Sequence, residues 1–239
     1  MLESYTAKLV TKNSVTPDIF ILTFEADRPV TFVAGQYLIL HVPTENGEYA
    51  RRLYSMANAP QGNRIELVVK RITGGIGTKY VEAMEAGATI QFQAPAGLFT
   101  LRPDGRNVVM LATNTGIAPY RSMILDELNK GPLKHEMHLF WGMRTRGELY
   151  YGDEFAALTN QDPKFAFTPC LSRDQTDHDG VIAGRIDTVF TSHILPQFKD
   201  DLASYDFYLC GGVGFIDSLR EKLAEAGVTK ECIYFEKFV

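Results

Sequence analysis

The sequence predicts two domains of different class, a small antiparallel β-barrel followed by a doubly wound parallel α/β sheet. Three observations carry this. Up to about residue 100, short runs rich in β-branched and aromatic residues alternate with Gly, Pro and Asn. From Asn107 onward, apolar strand-like runs alternate with helical stretches, the grammar of parallel strands joined by right-handed crossovers. Between them, Leu101-Arg102-Pro103-Asp104-Gly105-Arg106 is a polar, turn-rich joint. The expected domains are therefore residues 1–101 and 107–239.

In the first domain the strand candidates are Ile19–Phe24, Tyr37–Leu40 and Arg64–Val69, with one helical stretch near Thr78–Ala86. Short strands at this spacing favour a barrel. In the second domain Val108-Val109-Met110-Leu111-Ala112 reads as a strand covered on both faces. A helix is expected at about 117–129, and further strands near 136–141, 165–170, 205–210 and 232–235, five in all.

Bulk properties exclude several classes. The chain has 239 residues, 45% hydrophobic and 22% charged, enough to bury a core. No apolar run approaches the roughly 20 residues of a membrane span. The start, Met1-Leu2-Glu3-Ser4-Tyr5, lacks a secretory signature. The net charge of −5 argues against non-specific nucleic-acid binding. Residues 1–100 carry nine basic and nine acidic side chains, so the negative charge lies in the rest and the first half is the side for an acidic partner. Cys170, Cys210 and Cys232 form no close pair, which fits a reducing cytoplasm rather than a disulfide framework. They also fall short of the four thiolates of a cysteine-ligated iron–sulfur cluster. The five histidines, His41, His135, His138, His178 and His193, show no metal-ligand spacing, so no metal site is assigned.

Two segments of the first domain carry chemistry. In Arg52-Leu53-Tyr54-Ser55, strand alternation puts Arg52 and Tyr54 on one face. An arginine grips a diphosphate bidentately, a tyrosine ring lies flat on a planar heterocycle, and a serine hydroxyl bonds a ring nitrogen. Taken alone, the four are equally ordinary strand residues. In Lys70-Arg71-Ile72-Thr73-Gly74-Gly75-Ile76-Gly77-Thr78, glycines run into a helix start and expose N–H groups to an anion. By itself this is more often a plain turn, but the two segments in succession are far more specific.

At this point the chain resembles the ferredoxin–NADP reductase family, over nearly its whole length and in the family's order. Ala34-Gly35-Gln36-Tyr37, the intact Arg52–Ser55 motif, Val68-Val69-Lys70, Gly75-Ile76-Gly77-Thr78 and Pro95-Ala96-Gly97-Leu98-Phe99 resemble its flavin segments. The fold implied is an N-terminal six-stranded antiparallel β-barrel that binds flavin, plus a C-terminal α/β doubly wound parallel five-stranded sheet. Thr113-Asn114-Thr115-Gly116-Ile117-Ala118-Pro119 resembles the nucleotide loop, with Asn114 where Gly is usual; Asn tolerates positive φ better than most residues. A loop at the carboxyl end of the first parallel strand is also where a dinucleotide should sit on physical grounds.

Trp141-Gly142-Met143-Arg144 with Glu148-Leu149-Tyr150-Tyr151 resembles the second nucleotide segment. Ser172-Arg173 stands where NADP-preferring members meet the 2′-phosphate, and Arg185 where bacterial members add a basic residue. A lone arginine is otherwise a solvated surface charge. Cys210-Gly211-Gly212 is similar to the family's Cys-Gly segment beside the nicotinamide, without its usual Pro. The final Glu236-Lys237-Phe238 matches an acidic residue two positions before an aromatic that covers the flavin, with Val239 one residue extra.

The resemblance implies bound FAD, NADPH as hydride donor, and a separate ferredoxin or flavodoxin as one-electron carrier. It assigns Ser55, Cys210 and Glu236 to the reaction centre. Cofactor contacts fall to Arg52, Leu53, Tyr54, Ser55, Val68, Val69, Lys70, Gly75, Ile76, Gly77, Thr78, Thr115, Arg144, Ser172, Arg173, Arg185, Gly211 and Phe238. Arg51, Arg71 and Lys79 form the candidate docking face. Three other readings stay open: an NAD(P)H:flavin reductase, the reductase component of an oxygenase, and a regulatory subunit that uses the fold for binding only.

Overall fold

The computed structural model describes residues 2–103, 105–177 and 180–238. Asp104 of the joint, His178 and the extra Val239 lie outside the described residues. The chain groups by contact into two units, residues 1–101 with 118–130, and residues 102–117 with 131–239.

In the first unit six antiparallel strands form one sheet: β1 (Glu3–Thr16), β2 (Ile19–Ala26), β3 (Tyr37–Pro43), β4 (Tyr49–Ser55), β5 (Arg64–Lys70) and β6 (Thr89–Ala96), in the order β4-β3-β6-β1-β2-β5. The two outer strands meet just past Ser55. There Met56 bridges Leu67, and the Ala57 N–H donates to the Glu66 carbonyl at 2.8 Å. This curls the sheet into a barrel. Alternate residues of β3 point inward, and Leu38, Leu40 and Val42 are almost wholly buried. They pack with Leu9, Leu22, Phe24, Leu67, Val69 and Phe92 into one apolar core. Helix α1 (Ile76–Ala83) follows β5 and buries Val81 in this core. Its first turn already contains Ile76, Gly77 and Thr78, so the expected glycine loop is shorter than the sequence suggested and the helix starts two residues earlier.

Helix α2 (Ile117–Asn129) groups with this unit from Ala118 onward, although by sequence it belongs to the second domain. Polar ties explain the grouping. Arg121 reaches the Ala57 carbonyl and the Glu66 carboxylate, each at 2.9 Å, and the Ser122 hydroxyl donates to the Asn58 carbonyl at 2.7 Å.

The second unit is built on six parallel strands: β7 (Asn107–Thr113), β8 (Met137–Met143), β9 (Phe165–Leu171), β10 (Ile182–Ala183), β11 (Tyr205–Gly212) and β12 (Ile233–Phe238), in the order β10-β9-β8-β7-β11-β12. The doubly wound sheet thus has one strand beyond the five expected, because β10 is only two residues long and leaves no periodic trace. Helices α3 (Gly152–Gln161), α4 (Ile186–Val189) and α5 (Val213–Glu225) complete the alternation. The central strands β7 and β11 are buried on both faces, as their unbroken apolar runs require. Strand order reverses between β7 and β11. The carboxyl ends of these two strands are therefore the topological switch point where open α/β sheets bind ligands. Among the described residues no helix is long and apolar enough to cross a membrane.

Candidate functional site: two cofactor-binding centres

In the first unit the candidate anion site is made where β4 faces the start of α1. Arg52 and Tyr54 do share a face, as alternation predicts, and both flank Gly77. A methyl group on Gly77 would come within 3.0 Å of the Tyr54 hydroxyl and 3.1 Å of Arg52 Cγ. Glycine is what lets the helix start lie against the strand. Gly75 caps α1 with no side-chain bond, so the first N–H groups of the helix have no intrahelical partner. The first helical bond runs from Lys79 N–H to the Gly75 carbonyl, 3.0 Å.

The loop before the helix is closed by Thr78. Its buried hydroxyl oxygen accepts the Ile72 N–H at 3.0 Å, and the Gly75 N–H donates to the Ile72 carbonyl at 2.9 Å. Because the Thr78 oxygen is the acceptor there, its own hydrogen remains a donor. Arg52 is exposed; it donates to the Arg51 carbonyl at 2.8 Å and pairs with no carboxylate among the described residues. Open helix N–H groups beside an uncompensated guanidinium fit a pyrophosphate.

The other flavin candidates fall into distinct environments. Leu53 is exposed, Tyr54 half-buried and Ser55 buried. Burial pushes the Tyr54 phenol up against the opposing pull of Arg52, so it is a neutral donor. Val69 is in the barrel core, which leaves only its backbone for a ligand; Val68 is also buried and Lys70 exposed. Of the candidate docking cations, Arg71 Nε lies 2.5 Å from Glu82 Oε1, so its charge is countered, whereas Arg51 and Lys79 enter no ion pair among the described residues.

In the second unit the nucleotide loop is a single turn, Asn114–Gly116, between β7 and α2. Asn114 has φ 51°, the one positive φ at a non-glycine among the described residues. Its carbonyl accepts the Trp141 indole N–H at 3.0 Å and the Tyr150 hydroxyl at 3.4 Å. Gly116 is obligatory: a β-carbon there would collide with the Cys210 carbonyl oxygen. The loop thus lies directly against the end of β11. Thr115 in the loop is half-buried.

Cys210 and Glu236 are register partners on β11 and β12, as are Gly212 and Phe238. Burial, with the Glu236 carboxylate second, raises the Cys210 thiol well above its usual range, so it stays protonated. Gly211 is buried and Phe238 half-buried, the ring free of aromatic contacts among the described residues.

The phosphate-reading candidates come together at the ends of β8, β9 and β10. The Ser172 N–H donates to the Met143 carbonyl and the Arg173 N–H to the Arg144 carbonyl, both at 3.0 Å. The Gly184 N–H donates to the Leu171 carbonyl at 2.9 Å, which brings Arg185 to the same edge. Their charges differ in availability. Arg144 Nε lies 3.1 Å from Glu148, and Arg185 makes two 3.1 Å bonds to Asp187. Arg173 is exposed and has no side-chain partner among the described residues. The sequence reading missed Trp141 and Tyr150 as supports of the loop, and Glu148 and Asp187 as counter-charges. Nothing in local spacing announces contacts of that kind.

Two family models match the chain: the oxidoreductase FAD-binding domain over residues 6–101, and the oxidoreductase NAD-binding domain over residues 110–221. The molecule is a flavoprotein oxidoreductase with a nicotinamide-nucleotide domain. It is 32% identical to ferredoxin–NADP reductase B of Sorangium cellulosum (strain So ce56), over 99% of this chain and 98% of that one. It is 29% identical to the phenol hydroxylase P5 protein of Acinetobacter pittii (strain PHEA-2), over 100% of this chain and 67% of the relative. The crystal structure of Amycolatopsis cytochrome P450 reductase GcoB superposes with a TM-score of 0.87 at 27% identity, covering 99% of this chain and 70% of that one. The chain belongs to the ferredoxin–NADP reductase family.

Proposed function

We propose that the protein moves electrons between NADPH and a separate one-electron carrier of the ferredoxin or flavodoxin kind. Bound FAD supplies the exchange between a two-electron hydride and single electrons. Residues 1–101 hold the flavin: Arg52 and the α1 N–H groups take the pyrophosphate, Tyr54 stacks on the ring and Ser55 bonds it. Residues 107–239 hold the nucleotide. There Thr115 and Gly211 line the loop, and Ser172, Arg173, Arg144 and Arg185 face the 2′-phosphate. Cys210, as a neutral thiol, and Glu236, as a carboxylate, would flank the nicotinamide, and Phe238 is the proposed aromatic cover. None of these is a covalent catalyst.

The observation that carries this reading is the near full-length match to a ferredoxin–NADP reductase, with Ser172 and Arg173, whose side chains are unpaired among the described residues, at a strand end. Three cysteines cannot build a four-thiolate cluster, so within this chain electrons have no such onward centre. The three unbridged thiols also support a reducing, cytoplasmic setting. A second reading, the reductase component of an oxygenase, is favoured by the likeness to the phenol hydroxylase P5 protein and to the P450 reductase.

The test is an absorption spectrum of the purified protein, anaerobic addition of NADPH or NADH, and then a panel of acceptors. Expected are a yellow protein, bleaching by NADPH, and reoxidation by ferredoxin or flavodoxin. A colourless protein that no flavin reconstitutes would overturn the reading. Loss of flavin on gel filtration with rapid reduction of added flavin would indicate a flavin reductase. Reoxidation only by an oxygenase component would select the second reading.

A further inference from the structure

We propose that Glu148 and Asp187 restrain the cofactor choice of the site by holding two of its three arginines in ion pairs. The inference rests on the reading of Arg144, Arg173 and Arg185 as the 2′-phosphate centre.

The backbone bonds between β8, β9 and β10 gather these arginines at one edge of the sheet. Three guanidinium groups there would make a strong anion site, but each of two is already answered. Asp187 takes Arg185 in a two-point fork, Nε to Oδ1 and Nη2 to Oδ2, both 3.1 Å. Its side chain is 19% exposed against 67% for Arg185, so the carboxylate sits beneath the guanidinium and the guanidinium faces solvent. Glu148 binds Arg144 twice, through the guanidinium at 3.1 Å and through the Arg144 backbone N–H at 3.0 Å. It is likewise the less exposed partner, 19% against 56%.

A phosphate arriving at this edge therefore meets two guanidinium groups whose field is offset by adjacent carboxylates, with Nε of Arg144 and Nε and Nη2 of Arg185 already engaged. It can reach the remaining Nη hydrogens, but it is repelled by Glu148 and Asp187. A free ribose hydroxyl pays no such electrostatic penalty. Asp177 adds a third carboxylate nearby, fixed by the Ala183 N–H at 2.8 Å. Among the described residues Arg173 alone of the three is left as an unpartnered cation, so the edge discriminates between the two nucleotides less than three arginines would.

The strength of exposed ion pairs sets the scale. Removing either carboxylate charge should raise selectivity roughly two- to fivefold, the equivalent of ~0.4–1 kcal/mol. The experiment compares wild type with Asp187→Asn and Glu148→Gln. The readouts are the ratio of kcat/KM for NADPH and NADH, and calorimetric binding of 2′,5′-ADP and 5′-AMP. Glutamine at 148 keeps an acceptor for the Arg144 N–H, and neither variant touches the barrel.

The expected result is a higher NADPH to NADH ratio and tighter 2′,5′-ADP binding in each variant, with NADH use and 5′-AMP binding unchanged. Adding Arg185→Ala to Asp187→Asn should abolish the gain. An unchanged ratio in a wild type that does discriminate would overturn the restraint. A fall in the ratio would do the same, since the carboxylates would then be aiming the arginines rather than masking them. If wild type does not discriminate and Arg173→Ala changes nothing, the NADPH reading fails. The restraint then stands only if Asp187→Asn creates a preference, and falls if it does not.

Discussion

Replacing Thr78 with valine isolates the loop proposed to present the flavin-phosphate donors. The two side chains are nearly the same shape and both are β-branched, so helix propensity barely changes. What is lost is the acceptor 3.0 Å from the Ile72 N–H and the hydroxyl proton available to a phosphate. An orphaned buried donor costs ~1–3 kcal/mol. Ile72 is 58% exposed, so water can take the place of the lost acceptor and the lower end applies, about 1 kcal/mol or roughly fivefold. That loss should fall on FAD affinity, measured by titrating apoprotein with FAD and following the quench of flavin fluorescence. Melting of the apoprotein, recorded separately, reports any general loss of stability. Thr78→Ser retains the oxygen and should restore most of the affinity. An unchanged FAD affinity in Thr78→Val, or an equal loss in Thr78→Ser, would refute the role given to the hydroxyl.

Arg173→Ala should lower kcat/KM for NADPH by about tenfold and leave NADH nearly untouched, since one charge-assisted bond at an exposed site is removed; an equal loss for both cofactors would count against it. Asn114→Ala forces a β-carbon with no local polar compensation into φ 51° and should cost ~1 kcal/mol in thermal stability, whereas Asn114→Gly should be tolerated. Phe238→Ser should strengthen NADP binding, read from difference spectra, because a competing ring is removed; unchanged affinity and flavin spectrum would place the ring elsewhere. Native alkylation at pH 8 should modify Cys232 and spare the others, because burial raises Cys170 to about 12 and Cys210 well above its usual range, keeping both protonated thiols. Mass spectrometry showing Cys210 modified as fast as Cys232 would contradict this.

The legible parts of the fold were those in which one physical constraint acts on consecutive residues. Strand β7 is buried on both faces and declares itself as an apolar run; β3 is half-buried and alternates. The long β1 was not visible, since Lys12, Asn13, Ser14 and Thr16 in its second half are set by pairing with β2 and not by a buried face. Strand β10 pairs with β9 through Ile182 and Ala183 alone, too short for any period. The early start of α1 was hidden because Gly75–Thr78 has the composition of a turn, and only the closure by Thr78 makes it a helix entrance.

The candidate site divides along the same line. Arg52-Leu53-Tyr54-Ser55 could be read because its neighbours in chain are its neighbours in space, and Asn114 because a single torsion explains its residue type. The electrostatic state of the site could not be read in this way. Three arginines suggested a strong anion centre; Arg144 and Arg173 follow the ends of the expected strands β8 and β9, while Arg185 follows β10, which the pattern did not show. Their effective charge depends on Glu148, four residues beyond Arg144, and on Asp187, two beyond Arg185. Such pairs form or fail to form according to the turn that follows the strand. In Arg146–Glu148 a short turn swings the glutamate back onto Arg144, and the first turn of α4 sets Asp187 under Arg185. Position is thus encoded by the strands, while the strength of the proposed phosphate field is encoded by the first turns after them. On the proposed reading, a change in those turns alters cofactor preference while every arginine stays in place.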